Sequence, residues 1–330
     1  MKNFSDTSTK NDMLRVGIIG SGFGVIGLKP AFESVSGCKV IGVCEGRNEW
    51  RAFLENESID AIAIAVPPQA QYIIAKAAIK KGLHVFAEKP LAANLKQARE
   101  LYALAKKKKV ITGIDFIFPE IAEWKKVKEL LDKNTSGALK HISVNWNWMS
   151  GDIRYGRRTW KTSVKDGGGA LSFYFSHGLY YLENFAGKIR ETKTLFTHSP
   201  KSLNGGEVGL DMLVKFQNGA TGDVHVSCNT PGIIRHRLMF VCERGIITLE
   251  NKNAIVDNFA VKIQNEKGEK TVKIKKDNGR KQEDERVKIV RKLAKKFVVA
   301  CTRKEQMEPS FADGLRVQEL IQKIRNSSRP

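Results

Sequence analysis

Through the first 115 positions, apolar residues fall in short unbroken runs, each stopped by a glycine, a proline or an acid. The runs at 14–19, 39–44, 59–66, 84–87 and 110–115 have the length and density of strands buried on both faces. Helical spacing separates them. Ile73, Ile74, Ala77 and Ala78 share one side of a helix closed by Gly82, and Leu95, Ala98, Leu101 and Ala105 repeat that spacing after Asn94, a candidate cap. Pro30 predicts a break or restart near Lys29 rather than one long first helix. Strand and helix alternating in this way predict an α/β chain whose N-terminal part is a doubly wound parallel sheet.

Beyond 120 the pattern changes. A helix over 121–131 carries Trp124, Val127, Leu130 and Leu131, and Gly137 introduces a strand over 139–149. Trp146 and Trp148 share one face of that strand, either as packing or as a platform for a sugar ring. Asp166-Gly167-Gly168-Gly169 leads into a helix over 170–185. Alternating segments follow at 192–198, 209–216, 220–228, 233–242 and 245–250, with Asn218-Gly219 as a hairpin signal. Val290, Leu293, Phe297 and Ala300 line one side of a helix over 287–301, and Ser310 to Asp313 form a capping box before a last helix. The expected organisation is a leader over 1–12, a dinucleotide-binding domain over 13–120 and a substrate-binding domain over 121–330.

Composition narrows the partners. At 330 residues, 42% hydrophobic and 28% charged, the chain is an ordinary globular one with a net charge of +21. Its lysines, including the run Lys106 to Lys109, lie on polar faces without interleaved aromatics, so a solvated surface or an anionic substrate is expected and nucleic acid is not. No apolar run reaches the ~20 residues of a membrane span, and residues 1–12 lack the apolar core of a secretion signal. Five scattered cysteines without a CxxC pair suit a reducing cytoplasm, and six histidines without ligand spacing predict no metal.

The candidate chemistry sits at strand ends. Gly20-Ser21-Gly22-Phe23-Gly24 follows the first run as a turn that lets backbone approach a pyrophosphate, although Val25 stands where the usual third glycine falls. Glu45 closes the second run, where an acid bonds the adenosine ribose and disfavours a 2′-phosphate. NAD is therefore expected, with NADP left open by nearby Arg47. The fourth run ends in Glu88-Lys89-Pro90. Alone, a charged pair after a strand is a solvated loop, but Pro90 holds Lys89 extended at the rim where ligands bind open parallel sheets. A loop dense in cations, Arg154 to Lys161, is a second candidate, for a phosphate or carboxylate.

Taken together, GIIGSGFG (17–24), DAIAIAVPP (60–68), AAIKKGLHVFAEKPLA (77–92), GGGALSFYFSH (167–177) and MEPSFADGLRVQELIQKIRNSS (307–328) resemble the Gfo/Idh/MocA family, which includes glucose–fructose oxidoreductase and inositol dehydrogenase. The resemblance implies a Rossmann domain followed by an α/β domain on a large, mostly antiparallel open sheet, whose outer face often pairs subunits into a dimer or tetramer. By motif position it makes Lys89 a catalytic-site lysine and places Gly20, Gly22, Phe23, Gly24, Glu45, Pro67 and Glu88 against the cofactor. His177 matches the family's histidine, but Phe173 stands where its aspartate is expected, four residues earlier on one helical face. Ile117 likewise replaces a frequent arginine.

The expected activity is a cytoplasmic NAD(P)-dependent hydride transfer at a hydroxyl or keto carbon of a carbohydrate, plausibly a phosphorylated or nucleotide-linked one. His177 would exchange the hydroxyl proton, Lys89 would orient the oxygen, and Tyr155, Arg157, Lys161 and Tyr174 would bind substrate. Tyr174 and Asp115 are substitute proton carriers for the missing aspartate. The alternatives are a non-catalytic dinucleotide or sugar sensor, and a reductase of an imine or other conjugated system.

Overall fold

The structure, a computed structural model, describes residues 13–327. The leader expected over 1–12 lies outside the described residues. Five strands, β1 (Leu14–Ile19), β2 (Cys38–Cys44), β3 (Ala61–Ile64), β4 (His84–Ala87) and β5 (Thr112–Ile114), form a parallel sheet in the order β2-β1-β3-β4-β5. Both faces are covered, so Val16, Ile18, Ile62, Ile64, Val85 and Phe86 are all buried. Strand order reverses between β1 and β3, which opens a crevice at their carboxyl ends.

Helices behave as their sequence asks. Asn94 Oδ1 accepts the Gln97 N–H at 3.0 Å, capping Leu95–Lys108. Lys106, Lys107 and Lys108 occupy that helix's last turn, where cations complement exposed carbonyls, so the lysine run has a local structural reason. The first helix opens as a π-helical turn, Gly24–Leu28, and restarts as an α-helix at Lys29, the place Pro30 indicated.

The second sheet has eight strands: β6 (Leu139–Asn147), β7 (Ile189–Thr197), β8 (Gly209–Phe216), β9 (Thr221–Ser227), β10 (Arg235–Cys242), β11 (Gly245–Lys252), β12 (Ala260–Asn265) and β13 (Gly268–Thr271). Their order is β13-β12-β11-β10-β6-β9-β8-β7, with only β6 and β9 paired in parallel. One face buries Trp146, Val226, His236, Leu238 and Phe240; the other leaves Leu195 and Leu213 exposed at 77% and 62%.

The chain then returns to the first sheet. Phe297, in the helix Val287–Arg303, meets Phe32 and Phe86 edge-on at 6.1 and 5.7 Å. In the last helix, Phe311–Ser327, Gln318 Nε2 donates to Ala92 O at 2.7 Å.

Several expected bounds shift. The third strand covers only 61–64, the fifth Thr112–Ile114, and the segment expected at 192–198 is the strand Ile189–Thr197. The strand expected to reach 149 stops at Asn147 and leaves Met149 in an isolated bridge to Asn229. The helix expected over 170–185 is a π-helical turn, Ala170–Tyr174, followed by an α-helix, Ser176–Ala186. Buried Glu207 sets that turn by accepting Leu171 N–H on Oε1 at 3.2 Å, while its carbonyl accepts Ala170 N–H at 2.8 Å.

Candidate active site

Register puts the site's charges together. Ala87 of β4 pairs with Ile114 of β5, so the next residues, Glu88 and Asp115, leave the sheet side by side, with Asp115 N–H donating to Ala87 O at 3.0 Å. Buried Gln71 secures the turn that follows: its Nε2 lies 2.6 Å from Glu88 O, 3.0 Å from Pro90 O and 3.2 Å from Leu91 O. Carbonyls left by the end of β4 are thus satisfied by a side chain rather than by water. Lys89 Nζ donates to Phe173 O at 2.7 Å and lies 4.3 Å from the centre of the Phe173 ring. Burial pulls its ammonium down to about 8, against the opposing pull of Glu88 and Asp115.

His177 is 7% exposed, enclosed edge-on by Phe116 and Phe118 at 5.9 and 5.1 Å, and its Nδ1 has no hydrogen-bond partner. Burial, with Lys89 and Arg286 nearby, holds its pKa well below the usual histidine range, so the ring is neutral. Asp115 is the reverse case. It is 3% exposed, its Oδ1 is unpartnered, and burial beside Glu88 raises its carboxyl well above the ordinary range.

Aromatic side chains wall this end of the cleft. Trp148 lies 4.7 Å from Trp146 and 4.5 Å from Tyr174, while Trp160 meets Phe173 at 4.9 Å. Trp146 is itself stacked on buried His236 at 4.4 Å.

The cleft, about 1080 Å³, continues from Lys89 and His177 past the glycine turn to Glu45, Arg47 and Trp50 beyond β2. Its shape and donors fit a dinucleotide. Gly20 adopts φ +136°, and a Cβ there would lie 2.3 Å from Ala65 O, so only glycine allows the close approach to β3. A Cβ on Gly22 would meet nothing within 4 Å, and neither Ser21 nor Gly22 gives its N–H to a protein group among the described residues. Free donors at a helix start are what a pyrophosphate needs. Arg286 closes this stretch from the opposite side. Its guanidinium lies 4.2 Å from the centre of the Phe23 ring and is held by Asp284 through Nε and Nη2, each at 2.8 Å.

The profile of an oxidoreductase family with an NAD-binding Rossmann fold matches residues 14–116, and the GFO/IDH/MocA C-terminal domain matches 124–248. The chain belongs to the Gfo/Idh/MocA family. It is 33% identical over 193 residues to an uncharacterized oxidoreductase of Synechocystis sp., across 53% of this chain and 52% of that one. It is 29% identical to a dTDP-3,4-didehydro-2,6-dideoxy-alpha-D-glucose 3-reductase of Actinomadura kijaniata, across 37% of this chain and 36% of the reductase. These matches span about half or less of each curated relative's length. The fold is that of levoglucosan dehydrogenase in complex with NADH, with TM-score 0.81, 19% identity and 96% of each chain covered.

Within this Gfo/Idh/MocA fold, one cleft brings together Lys89, His177, Gly20, Gly22, Phe23, Glu45, Arg47, Pro67, Glu88, Lys161 and Tyr174. Gly24 is buried just behind its lining, where the π-helical turn begins. Tyr155 and Arg157 do not reach it: Tyr155 is 65% exposed, and Arg157 stacks on its ring at 5.0 Å outside the cleft. Charge density marked that loop, but the direction its side chains take was invisible in the sequence. Tyr174 lines the cleft, where its hydroxyl donates to Ser150 Oγ at 2.8 Å and burial raises its pKa far above the ordinary tyrosine value. Sequence reasoning missed Gln71 and Arg286. Only a polar residue at a core-facing helical position hinted at Gln71, and nothing local marked Arg286. Among the described residues no cluster of metal-ligating side chains occurs, and no helix is long and apolar enough to cross a membrane.

Proposed function

We propose that the chain transfers a hydride between a nicotinamide dinucleotide and a hydroxyl or keto carbon of a carbohydrate. The observation that carries this reading is the position of the Lys89 amine, where a glycine-lined dinucleotide cleft meets an aromatic-walled pocket containing His177. Gly20, Gly22 and Phe23 would hold the pyrophosphate, Glu45 the adenosine ribose, and Pro67 with Glu88 the nicotinamide end. The bound dinucleotide supplies the hydride donor or acceptor. Glu45 favours NAD over NADP.

The chain's own residues then act on the substrate oxygen. Lys89, with its pKa at about 8, polarises that oxygen and exchanges its proton near neutral pH. His177, neutral and unassisted by a carboxylate at 173, accepts a hydrogen bond from the hydroxyl rather than carrying the proton. Trp148 offers a surface for a sugar ring, the surrounding aromatic wall excludes water, and Lys161 suits a phosphate or nucleotide group on the sugar. A reductase of nucleotide sugars among the relatives and a levoglucosan dehydrogenase among the structural neighbours support the carbohydrate class. The exposed Leu195 and Leu213 on the second sheet support a homo-oligomer, checked by sedimentation.

The test is nicotinamide absorbance with NAD or NADH across sugars, keto-sugars, sugar phosphates and sugar nucleotides. Turnover in wild type and its near-abolition in Lys89→Ala, with little change in NADH affinity, is the expected result. Unchanged turnover in that variant sinks the assignment. Phe173 in place of a carboxylate favours a second reading, a dinucleotide or sugar sensor, which binding without oxidation across the whole panel would select.

A further inference from the structure

Making Lys89 the proton carrier creates a need that the lysine alone does not meet. In the reducing direction, the substrate carbon is reduced at the expense of NADH and its oxygen takes a proton from Lys89 Nζ: an N–H bond breaks and an O–H bond forms. The neutral amine must then be reloaded inside a walled pocket. His177 is uncharged, and the Tyr174 hydroxyl is committed to Ser150. Lys161, 5.2 Å from the centre of the Phe173 ring, is a second cation whose charge opposes reloading.

The remaining acid is Asp115. It lines the cleft, is 3% exposed, has an unpartnered Oδ1, and leaves the sheet beside Glu88. Glu88 Oε2 in turn accepts the Lys89 backbone N–H at 3.1 Å, so it is already committed as an acceptor. Burial beside Glu88 favours the protonated form of the Asp115 carboxyl, because a carboxylate there is both desolvated and repelled. The charged groups facing Asp115 are Glu88 and Lys89 from the end of β4 and Arg286 from the start of the helix Val287–Arg303.

We infer that Asp115 stores the proton for this site, passing it to Lys89 Nζ after Lys89 has protonated the substrate oxygen. The inference rests on the activity proposed above. In the reload, the Asp115 O–H breaks, the Lys89 N–H reforms, and the resulting Asp115 carboxylate faces the Lys89 ammonium and Arg286 until a solvent proton restores it. Oxidation runs the same transfers backwards. Asp115 acts through Lys89 and does not touch substrate.

Infrared spectroscopy of the cofactor-free protein tests the store without turnover. Wild type should show the carbonyl stretch of a protonated carboxylic acid at neutral pH, shifted by ¹³C-aspartate labelling and lost in Asp115→Asn. Absence of a label-sensitive band in wild type overturns the inference, whether or not the variant folds. With the sugar that turns over best in the panel, Asp115→Asn should slow reduction about 100-fold with NADH affinity unchanged and the optimum moved to lower pH. Reduction at the wild-type rate and with the wild-type pH profile also overturns it. A panel with no turnover at all refutes the proposed activity, and the infrared result then decides the proton store alone.

Discussion

Lys89→Met should remove activity and, at neutral pH, leave the fold as stable as wild type or more so. The Lys89 ammonium sits at about 8 rather than 10.5, chiefly because burial disfavours its charge. At about 1.4 kcal/mol per pH unit, that displacement costs the folded protein about 3 kcal/mol, an upper figure for a side chain that is only partly buried. The sign follows from proton counting. Below pH 8 both folded and unfolded chains carry the charge, and the penalty is full. Between pH 8 and 10.5 the folded lysine is neutral while the unfolded one still holds its proton, so wild-type stability rises through that window relative to a methionine variant. Loss of the 2.7 Å bond to Phe173 O costs the variant about 1–3 kcal/mol at every pH. The variant's lead at pH 7 is therefore about 0–2 kcal/mol, and it shrinks by up to about 3 kcal/mol towards pH 10.5.

Urea unfolding of both proteins at intervals from pH 7 to 10 measures this, because titrating groups away from Lys89 cancel in the difference. A difference that stays constant from pH 7 to 10 would refute the claim that the fold holds this lysine at a cost.

Three further outcomes follow from the same geometry. Phe173→Asp should raise the pKa of both Lys89 and His177 from their depressed positions, read by the pH dependence of Lys89 labelling and by histidine NMR; a downward move of either refutes the electrostatic reading of residue 173. Gln71→Leu strips the amide that reaches three carbonyls and should destabilise the protein by about 2–4 kcal/mol in urea unfolding, since buried acceptors are left unsatisfied. A loss below the cost of one such carbonyl would show that water replaces the amide. Arg286→Ala should weaken NADH binding about tenfold, the loss of one charge-assisted contact, followed by tryptophan fluorescence; unchanged affinity removes Arg286 from the dinucleotide half.

The buried parallel strands were legible because both faces are covered, so apolar runs such as 84–87 stand out whatever lies around them. The edge hairpin of β12 and β13 was not. Val261 and Ile263 alternate as a strand should, but they are embedded among lysines and glutamates that read as a charged surface. The π-helical turn at Ala170–Tyr174 also escaped notice, because a buried glutamate more than 30 positions later sets it. Site residues followed the same division. Glycines, Glu45 and the Glu-Lys-Pro turn are local signals at strand ends. Arg286 joins Phe23 across 263 positions of chain, and only the returning C-terminal helix brings it there.

Phe173 shows why motif position and chemistry have to be separated. With aspartate at 173, a carboxylate four residues before His177 on a regular helix would favour the imidazolium and, near Lys89, the ammonium. With phenylalanine, the two nearest cations, Lys89 and Lys161, meet a ring face at 4.3 and 5.2 Å, an attraction of only about 0.5–2 kcal/mol. That is too little to offset burial, and both Lys89 and His177 shift towards their neutral forms. In the proposed mechanism the neutral histidine is then an acceptor, and the lysine, shifted to about 8, carries the proton. Proton traffic then depends on whichever acid adjoins the lysine, and strand register, not helix periodicity, puts Asp115 beside Glu88 there. In the mechanism proposed above, phenylalanine at 173 thus leaves the acid–base work to the strand ends of the parallel sheet.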